Sequence, residues 1–334
     1  MILVWVKFLV CVVLVLVFGT QLSRYGDIIA EKTGLGGLWV GLLLLAIVTS
    51  LPEIITGISA VAVVNAPDLA VGTLFGSNAF NLGVIALLDV VHRPGSLLAR
   101  ASQIHVLSTG LGILLIVSAG IAMFLSTRVW DGAFSWLGVY SIALVLMYVA
   151  GSRLVFRRER AAPQVETPAP SYGHISTTRT YLGFAISAIA IIGTGIWLAT
   201  VGNEITAVTG LGSTFVGSLF LALTTSLPEV VVALAALRLG AVDMALADVL
   251  GSNIFNIGIG VACYDVFSGK ASIFAAVSPS HYITVAVVVG MSLTVGIGLL
   301  LRAKKKVFVV ASWYAPLLLV IYVTGAYFLY RMGS

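Results

Sequence analysis

The segment AIVTSLPEIITGISA at 46–60, followed by GSNAFN at 76–81, recurs as ALTTSLPEVVVALAA at 222–236, followed by GSNIFN at 251–256. The two copies lie in separate halves of the chain, and their internal spacing differs by a single residue. Self-similarity of this kind marks two copies of one structural unit. The sequence therefore predicts a fold built from two related halves.

The composition places the repeat in a membrane. Of the 334 residues, 60% are hydrophobic and 9% are charged, whereas soluble domains carry about 25% charged residues. The mean hydropathy of +1.11 is also that of a lipid-embedded chain. We therefore exclude a soluble protein and expect an integral, multi-pass membrane protein surrounded by lipid. The net charge of +5 comes without a basic, aromatic-rich patch, so no nucleic-acid partner is expected.

Ten apolar stretches are long enough to cross roughly 30 Å of hydrocarbon, which takes about 20 helical residues. They lie near 2–18, 36–64, 69–91, 104–125, 130–150, 181–201, 211–239, 244–267, 282–301 and 307–330. The predicted fold is all-α, with five transmembrane helices in 1–150 and five in 180–334. Because five is an odd number, the repeats at 37–90 and 212–267 would enter the membrane with opposite polarity, as an inverted pair.

Basic residues set the expected orientation. The segment 151–179 joins the two halves and is rich in Arg, Pro, Ser and Thr, which predicts a flexible cytoplasmic linker. Most of the 18 Lys and Arg residues fall in loops on the same side as this linker. Since cytoplasmic loops carry the positive excess, both termini are expected outside. The two cysteines, Cys11 and Cys263, lie in apolar runs and are expected to be small buried hydrophobic residues.

Each copy of the repeat carries a glutamate inside an apolar stretch, Glu53 in the first and Glu229 in the second. An uncompensated charge there costs about 2.5–3.5 kcal/mol on insertion scales, so both side chains should face the protein interior. The nearest basic residue, Arg238, is nine positions from Glu229, or roughly 13.5 Å along a helix. The balancing charge is therefore a proton or a bound cation. Inverted repeats place such sites at the membrane midplane.

Oxygen-bearing side chains accompany each glutamate at helical spacing. A Thr and a Ser precede it by four and three positions, and the GSNxFN motif adds a Ser and an Asn four apart. These candidate ligands are Thr49, Ser50, Ser77, Asn81, Thr225, Ser226, Ser252 and Asn256. Pro52 and Pro228 each remove a backbone donor, which frees the carbonyls of Val48 and Thr224.

Oxygen ligands of these kinds are hard and suit Na⁺ or Ca²⁺. The predicted metal ligands are Glu53, Glu229, Thr49 and Thr225. Ser and Thr alone are also common in interhelical hydrogen bonds. Their coincidence with Glu and Pro in both copies favours a cation site.

Asp248 breaks the symmetry of the repeat, because the first copy has Thr73 at the matching position. Two interpretations stay open from the sequence. Asp248 is an auxiliary cation ligand or proton-titrating group, or it is a structural residue satisfied by Ser or backbone groups.

Four further acidic residues lie near helix ends. Asp68 and Asp243 begin their predicted helices and are expected to be N-caps. Asp89 and Asp265 lie near the far ends of the same helices, where we expect them to meet interfacial water. The four histidines are scattered in the sequence and predict no metal cluster.

With TSLPE and GSNxFN in two copies, the chain resembles the cation/calcium antiporter superfamily, and within it the prokaryotic sodium/calcium exchangers. The resemblance implies a central site in which Glu53 and Glu229 are flanked by Asn81 and Asn256. It also implies Na⁺ sites formed by Thr49, Ser50, Ser77, Thr225, Ser226 and Ser252. A prokaryotic plasma membrane is the location that follows from it.

The chain departs from the family pattern at a few positions. Val48 and Thr224 replace a Gly before TSLPE, and Thr73 and Asp248 replace an Asn before GSN. Potassium-dependent members carry Asp where this chain has Asn256, so K⁺ co-transport is disfavoured. With Asn at position 256, the carboxylates at the centre are Glu53 and Glu229, and their two charges match one Ca²⁺.

The combined prediction is a secondary antiporter that exports Ca²⁺ in exchange for Na⁺ by alternating access. The alternative is Ca²⁺/H⁺ exchange, since two buried carboxylates can release two protons for one Ca²⁺. An intramembrane hydrolase is disfavoured because no His or Lys accompanies the hydroxyl groups as a base. A purely structural scaffold would show no stabilisation by cations. We therefore expect no enzyme activity, no cofactor, Ca²⁺ and Na⁺ as transported ions, and a functional monomer.

Overall fold

The described part of the chain is a bundle of membrane-length helices. The computed structural model describes residues 2–32, 46–93, 95–130, 133–134, 137–160, 176–269, 272–302, 306–307 and 311–333. Within these ranges, eight helices are long and apolar enough to cross a membrane, and one bent pair gives a ninth crossing if it counts as a single span. The all-α, polytopic prediction is confirmed, and the inverted arrangement of ten spans stays a prediction.

The helices divide between the two halves of the chain. The first half contains α1 (Ile2–Lys32), α2 (Leu51–Ala62), α3 (Pro67–Val91), α4 (Leu97–Arg100), α5 (Ile104–Arg128) and α6 (Val139–Arg160). The second half contains α7 (Thr177–Thr209), α8 (Ser213–Thr225), α9 (Leu227–Arg238), α10 (Val242–Ser268), α11 (His281–Leu301) and α12 (Tyr314–Gly333). Two of these helices include π-helical turns, at Gly217–Leu221 in α8 and at Asn256–Gly260 in α10.

Smaller elements connect the helices. Residues 46–49 form a helical turn before α2. A short antiparallel hairpin, β1 (Ala133–Phe134) paired with β2 (Leu137–Gly138), precedes α6. A 3₁₀ turn at Ile273–Ala276 lies between α10 and α11.

Several predicted boundaries are wrong. The fifth stretch, 130–150, begins with the hairpin, so its helix starts at Val139 and continues through the predicted start of the linker to Arg160. The tenth helix starts at Tyr314, later than predicted. Of the second stretch, 36–64, the part before residue 46 lies outside the described residues, as does 161–175 of the linker.

Two long helices, α1 and α7, are longer than the apolar stretches that predict them. α1 and α7 extend beyond the apolar stretches 2–18 and 181–201, and they pack along each other. Lys7 in α1 lies 2.8 Å from Glu204 in α7, which provides the countercharge for a lysine within an apolar stretch. α7 ends at Gly210, whose φ of +75° is a conformation that favours glycine.

Each copy of the TSLPE motif contains a helix break at its serine. Ser50 (φ −82°, ψ 0°) precedes α2, and Ser226 (φ −86°, ψ 6°) separates α8 from α9, which are bent by 43°. Pro52 and Pro228 follow in the first turn of α2 and α9, where a backbone N–H has no intrahelical acceptor. The two copies therefore adopt the same local backbone structure.

The helices that carry GSNxFN form the centre of the bundle. In α3 and α10, 72% of the membrane-length window is buried inside the protein, compared with 22% in α1 and α12. Glycines permit close packing here. A Cβ at Gly76 would collide with the backbone of Ser218, and one at Gly251 would lie 3.1 Å from the Cβ of Ala46. The motif glycines thus bring these helices against the segments around the two helix breaks.

Two His–Asp pairs link the halves at helix starts, where we expected N-caps. Asp68 and Asp243 are each the second residue of their helix and make no capping hydrogen bond. Asp68 lies 3.2 Å from His281 Nε2, and Asp243 lies 3.0 Å from His105 Nε2. Each carboxylate also accepts a backbone N–H from the loop before the histidine, at 2.6 Å and 2.7 Å respectively. The N-cap prediction is wrong because these carboxylates bind the opposite half of the chain.

The expectation of interfacial water at Asp89 and Asp265 is also wrong. Both side chains are buried, with 0% and 1% exposed. Asp89 accepts hydrogen bonds from two backbone N–H groups and from the hydroxyls of Ser312 and Tyr314. Asp265 accepts two backbone N–H groups and the hydroxyl of Ser141. The donors come from neighbouring segments that pack against the helix ends, including Ser141 in α6 and Tyr314 in α12, so protein groups replace water.

Candidate cation-binding site

The glutamates of the two repeat copies meet at the helix breaks. Glu53 and Glu229 lie in the first turns of α2 and α9, and both side chains are fully buried. Ser226 donates to Glu53 Oε1 at 2.8 Å, and Ser50 donates to Glu229 Oε1 at 3.3 Å. Each serine thus binds the glutamate of the other copy. The structure brings these four predicted residues together in one buried place.

A cluster of oxygens lies beside the glutamates on the side of the first helix break. We define the Thr49 cluster as Thr49, Ser252 and the carbonyl of Ala46. Thr49 Oγ1 lies 3.2 Å from Ala46 O and 3.3 Å from Ser252 Oγ, and Ser252 Oγ lies 3.5 Å from Ala46 O. Asp248 adjoins the cluster, because its Oδ1 accepts a hydrogen bond from Thr49 at 3.5 Å.

A matching cluster lies at the second helix break. We define the Thr225 cluster as Thr225, Ser77 and the carbonyl of Ala222. The corresponding distances are 3.3 Å from Thr225 Oγ1 to Ala222 O, 3.4 Å from Thr225 Oγ1 to Ser77 Oγ, and 3.5 Å from Ser77 Oγ to Ala222 O. Ser77 also lies 3.4 Å from Glu53 Oε1. The two clusters have the same composition and similar distances, and Thr225 Oγ1 also donates to Leu221 O at 3.0 Å.

The alanine carbonyls are oxygens that the sequence interpretation missed. It expected Pro52 and Pro228 to expose the carbonyls of Val48 and Thr224, but the hydroxyl groups contact those of Ala46 and Ala222. Each alanine carbonyl also accepts the helical N–H of the serine four residues later, at 3.1 Å and 3.0 Å. A carbonyl oxygen has two lone pairs, so it can accept this bond and still face the cluster.

Four asparagines tie α3 to α10. Asn78 and Asn253 donate to each other's backbone carbonyls at 3.2 Å and 3.1 Å. Their side-chain oxygens accept from Asn256 at 3.3 Å and from Asn81 at 3.1 Å respectively. The sequence interpretation named Asn81 and Asn256 but missed Asn78 and Asn253, although both stand inside the repeated GSNxFN motif. The arrangement engages the amide nitrogens of Asn81 and Asn256.

Five buried oxygens around the two glutamates lack hydrogen-bond partners. They are Glu53 Oε2, Glu229 Oε2, Asp248 Oδ2, Asn81 Oδ1 and Asn256 Oδ1. Buried polar atoms are normally hydrogen-bonded, and carboxylate and amide oxygens are acceptors only. A concentration of unpaired acceptors is an environment that favours a cation.

Among the described residues, no Lys, Arg or His side chain forms an ion pair with Glu53, Glu229 or Asp248. The ion pairs found there join Lys7 to Glu204 and the two histidines to Asp68 and Asp243, away from the central glutamates. The described residues also contain no group of three or more His, Cys, Asp or Glu side chains placed to hold a metal. A divalent ion at the centre would therefore need amide, hydroxyl and carbonyl oxygens in addition to carboxylates.

Asp248 has no adequate structural partner. Its side chain is fully buried, and its hydrogen bond to Thr49 is at the long limit of such bonds. The equivalent Thr73 instead donates to Leu69 O at 2.8 Å within its own helix. The interpretation of Asp248 as a residue satisfied by Ser or backbone groups finds no support in these contacts.

The chain is similar to proteins that are already known. A family model described as sodium/calcium exchanger protein matches residues 3–156 and 179–331. The chain is 30% identical to the inner membrane protein YrbG of Escherichia coli over 264 residues, which cover 75% of this chain and 76% of that protein.

Two solved structures resemble the fold. The sodium-calcium exchanger NCX_Mj gives a TM-score of 0.62 at 23% identity, covering 97% of this chain and 98% of that one. The H⁺/Ca²⁺ exchanger CAX gives 0.74 at 14% identity, covering 99% of this chain and 85% of that one. At these identities the likeness concerns the fold alone.

Proposed function

This chain belongs to the sodium/calcium exchanger protein family, and from that premise we propose that it is an antiporter that exchanges Ca²⁺ for Na⁺. The observation that carries the proposal is the set of unpaired, fully buried oxygens around Glu53 and Glu229. Buried carboxylates are costly unless an opposite charge accompanies them. A transported cation supplies that charge and leaves with it again, which a fixed basic side chain cannot do.

The ions compete for the same carboxylates. Glu53 and Glu229 together match the charge of one Ca²⁺, and the oxygens of Asn81 and Asn256 complete a hard ligand set around it. Na⁺ ions would use the glutamates together with hydroxyl and carbonyl oxygens. The Thr49 and Thr225 clusters offer those oxygens on the two sides of the centre. Binding of Na⁺ to the glutamates then releases Ca²⁺, and binding of Ca²⁺ releases Na⁺.

The symmetry of the site suits alternating access. The matching helix breaks at Ser50 and Ser226 support this proposal, because each precedes a helix whose first turn carries one of the glutamates. In transporters built from inverted repeats, one arrangement opens to each side of the membrane. We propose such a repeat here, formed by 37–90 and 212–267, in a monomer whose termini face outside. A single cysteine introduced into 161–175 should then react with an impermeant maleimide only from the cytoplasmic side.

Ca²⁺/H⁺ exchange is the second candidate. One observation favours it, the third buried carboxylate, Asp248, which offers a further proton-titrating group. An imposed Na⁺ gradient drives Ca²⁺ flux if the chain exchanges Ca²⁺ for Na⁺. An imposed pH gradient without Na⁺ drives it if the chain exchanges Ca²⁺ for H⁺.

The proposal is tested by Ca²⁺ flux into proteoliposomes. We expect radioactive Ca²⁺ to accumulate when a Na⁺ gradient is imposed. Glu53→Gln and Glu229→Gln should each lower the rate by more than the roughly 10–100-fold typical of losing an outer-shell partner of a metal. Glu204→Gln is the matched control, because Glu204 pairs with Lys7 and should leave the rate unchanged. Flux that persists in Glu53→Gln would contradict the proposal.

A further inference from the structure

Glu53 is held by the second half of the chain at both its backbone and its side chain. The hydroxyl of Tyr264 in α10 donates to the backbone carbonyl of Glu53 at 3.0 Å, and Ser226 donates to the carboxylate at 2.8 Å. The Tyr264 side chain is fully buried, so water does not compete for this bond. Two donors of the second half therefore fix the position of Glu53.

Gly57 leaves the space that the Tyr264 hydroxyl occupies. A Cβ at Gly57 would collide with that oxygen and with the ring carbons beside it. Gly57 follows Glu53 by four positions in α2, so its N–H donates to the same carbonyl. A carbonyl oxygen has two lone pairs, so the Glu53 carbonyl accepts both bonds. Glycine weakens a helix relative to alanine, and the contact with Tyr264 explains its presence here.

The second copy of the repeat has neither partner of this contact. Ala233 stands four positions after Glu229, where the first copy has Gly57. Asp89 stands thirteen positions after the first glycine of GSNxFN, where the second copy has Tyr264. The Asp89 side chain is engaged at its helix end by backbone N–H groups and hydroxyls. The tyrosine contact therefore distinguishes the two halves.

Glu229 is held less firmly than Glu53. Within the described ranges, Glu229 receives one side-chain hydrogen bond, from Ser50 to its carboxylate at 3.3 Å. Glu53 receives a shorter bond at its carboxylate and a second bond at its backbone. In the central pair, Glu53 is thus the fixed carboxylate and Glu229 is the one that adjusts.

We propose that Tyr264 is a positioning residue that makes the central site selective for the size of Ca²⁺. This inference rests on the proposed Ca²⁺ site at Glu53 and Glu229. Selectivity between cations that bind oxygen ligands depends on the size of the cavity and on its flexibility. Because Glu53 is held at both its backbone and its carboxylate, the site resists widening. A larger divalent cation such as Ba²⁺ then binds more weakly than Ca²⁺.

The test compares Ca²⁺ and Ba²⁺ affinity by isothermal titration calorimetry on the detergent-solubilised full chain, in choline chloride without Na⁺. Tyr264→Phe keeps the ring and removes the hydroxyl, while the Glu53 carbonyl retains its helical bond. Ca²⁺ affinity should fall by roughly 10–100-fold, as is usual when an outer-shell partner of a metal ligand is removed. Ba²⁺ affinity should fall less, because a looser site accepts the larger ion. The ratio of Ca²⁺ to Ba²⁺ affinity should therefore decrease.

Tyr314→Phe is the matched control. The Tyr314 hydroxyl is also buried, but it donates to Asp89 at a helix end. This variant should unfold at a lower temperature in the absence of divalent ions and keep both affinities. Gly57→Ala is a second variant, because the added methyl group displaces the Tyr264 hydroxyl. It should lower the ratio of affinities in the same way, and it replaces Tyr264→Phe if that variant does not fold.

The outcomes distinguish this inference from the proposed function. A wild type that binds Ca²⁺, together with a Tyr264→Phe variant whose ratio of affinities is unchanged, would overturn the inference and leave the exchanger intact. An equal fall in both affinities would do the same, since it would show a loss of structure without a change in selectivity. A wild type that binds no Ca²⁺ would overturn the proposed function as well.

Discussion

Buried carboxylates at the centre of the bundle differ from those at its helix ends. At the ends, Asp89 and Asp265 accept hydrogen bonds from backbone N–H groups and hydroxyls of neighbouring segments. At the centre, Glu53, Glu229 and Asp248 each keep one oxygen without a partner. Both groups are equally inaccessible to solvent. Burial alone therefore does not indicate function, whereas burial without a hydrogen-bond partner indicates that a further charge binds there.

The largest expected effect is at the centre. Glu229→Gln should abolish the stabilisation by Ca²⁺, which for the wild type reaches about 2.7 kcal/mol when the ion is a hundredfold above its Kd. Without Ca²⁺ the variant should be at least as stable as the wild type, because an unpaired buried charge is gone. Thermal unfolding with and without Ca²⁺ measures both effects. A variant that is destabilised yet still responds to Ca²⁺ would place Glu229 among the structural carboxylates.

The opposite pattern is expected at Asp89. Asp89→Asn turns an amide N–H₂ toward groups that are themselves donors, so the free energy of unfolding should fall by about 1–3 kcal/mol. The stabilisation by Ca²⁺ should be retained. Unfolding in mixed micelles, with Glu204→Gln as a control for loss of one charge, measures the change. An unaltered stability would show that the donors around Asp89 are not needed.

The two His–Asp pairs are equivalent contacts of the two halves, and both lie at helix ends. His105→Ala and His281→Ala should each lower the free energy of unfolding by about 0.5–1.5 kcal/mol, the usual contribution of a hydrogen bond. The two losses should be similar, and Ca²⁺ affinity should stay within experimental error in both. A loss of Ca²⁺ binding in either variant would mean that the helix ends and the centre are not independent.

The smallest effect is expected for the partly exposed pair of Lys7 and Glu204. Their side chains are 31% and 35% exposed, and such pairs contribute about 0–1 kcal/mol. Lys7→Met should therefore leave both stability and Ca²⁺ response near those of the wild type. A large loss of stability would show that this pair holds α1 against α7 more strongly than its exposure indicates.

The centre was accessible to sequence reasoning because its residues repeat. Glu53 and Glu229 stand at equivalent positions in apolar stretches, so their convergence could be inferred from the two copies and the cost of burying charge. The hydrogen bonds between the copies, in which Ser226 binds Glu53 and Ser50 binds Glu229, could not be inferred from the sequence. A local spacing describes one helix and does not say which helix lies opposite.

The helix ends could not be predicted for a related reason. The donors to Asp89 include Ser312, which is 223 positions away in the chain, and no local pattern links the two. Helix boundaries near 130–139 were missed because the apolar residues Ala133, Phe134 and Leu137 of the hairpin stand directly before the apolar helix. Asn78 and Asn253, in contrast, were within reach, since the same repeat that revealed the glutamates contains both.

Equilibrium binding of Ca²⁺ shows whether the glutamates at the centre hold the ion. Isothermal titration calorimetry on the solubilised wild type should show one Ca²⁺ bound per chain. The double variant Glu53→Gln with Glu229→Gln should show no binding, and Glu204→Gln should match the wild type. Ca²⁺ binding retained in the double variant would contradict the claim that the unpaired carboxylates at the centre hold the transported ion.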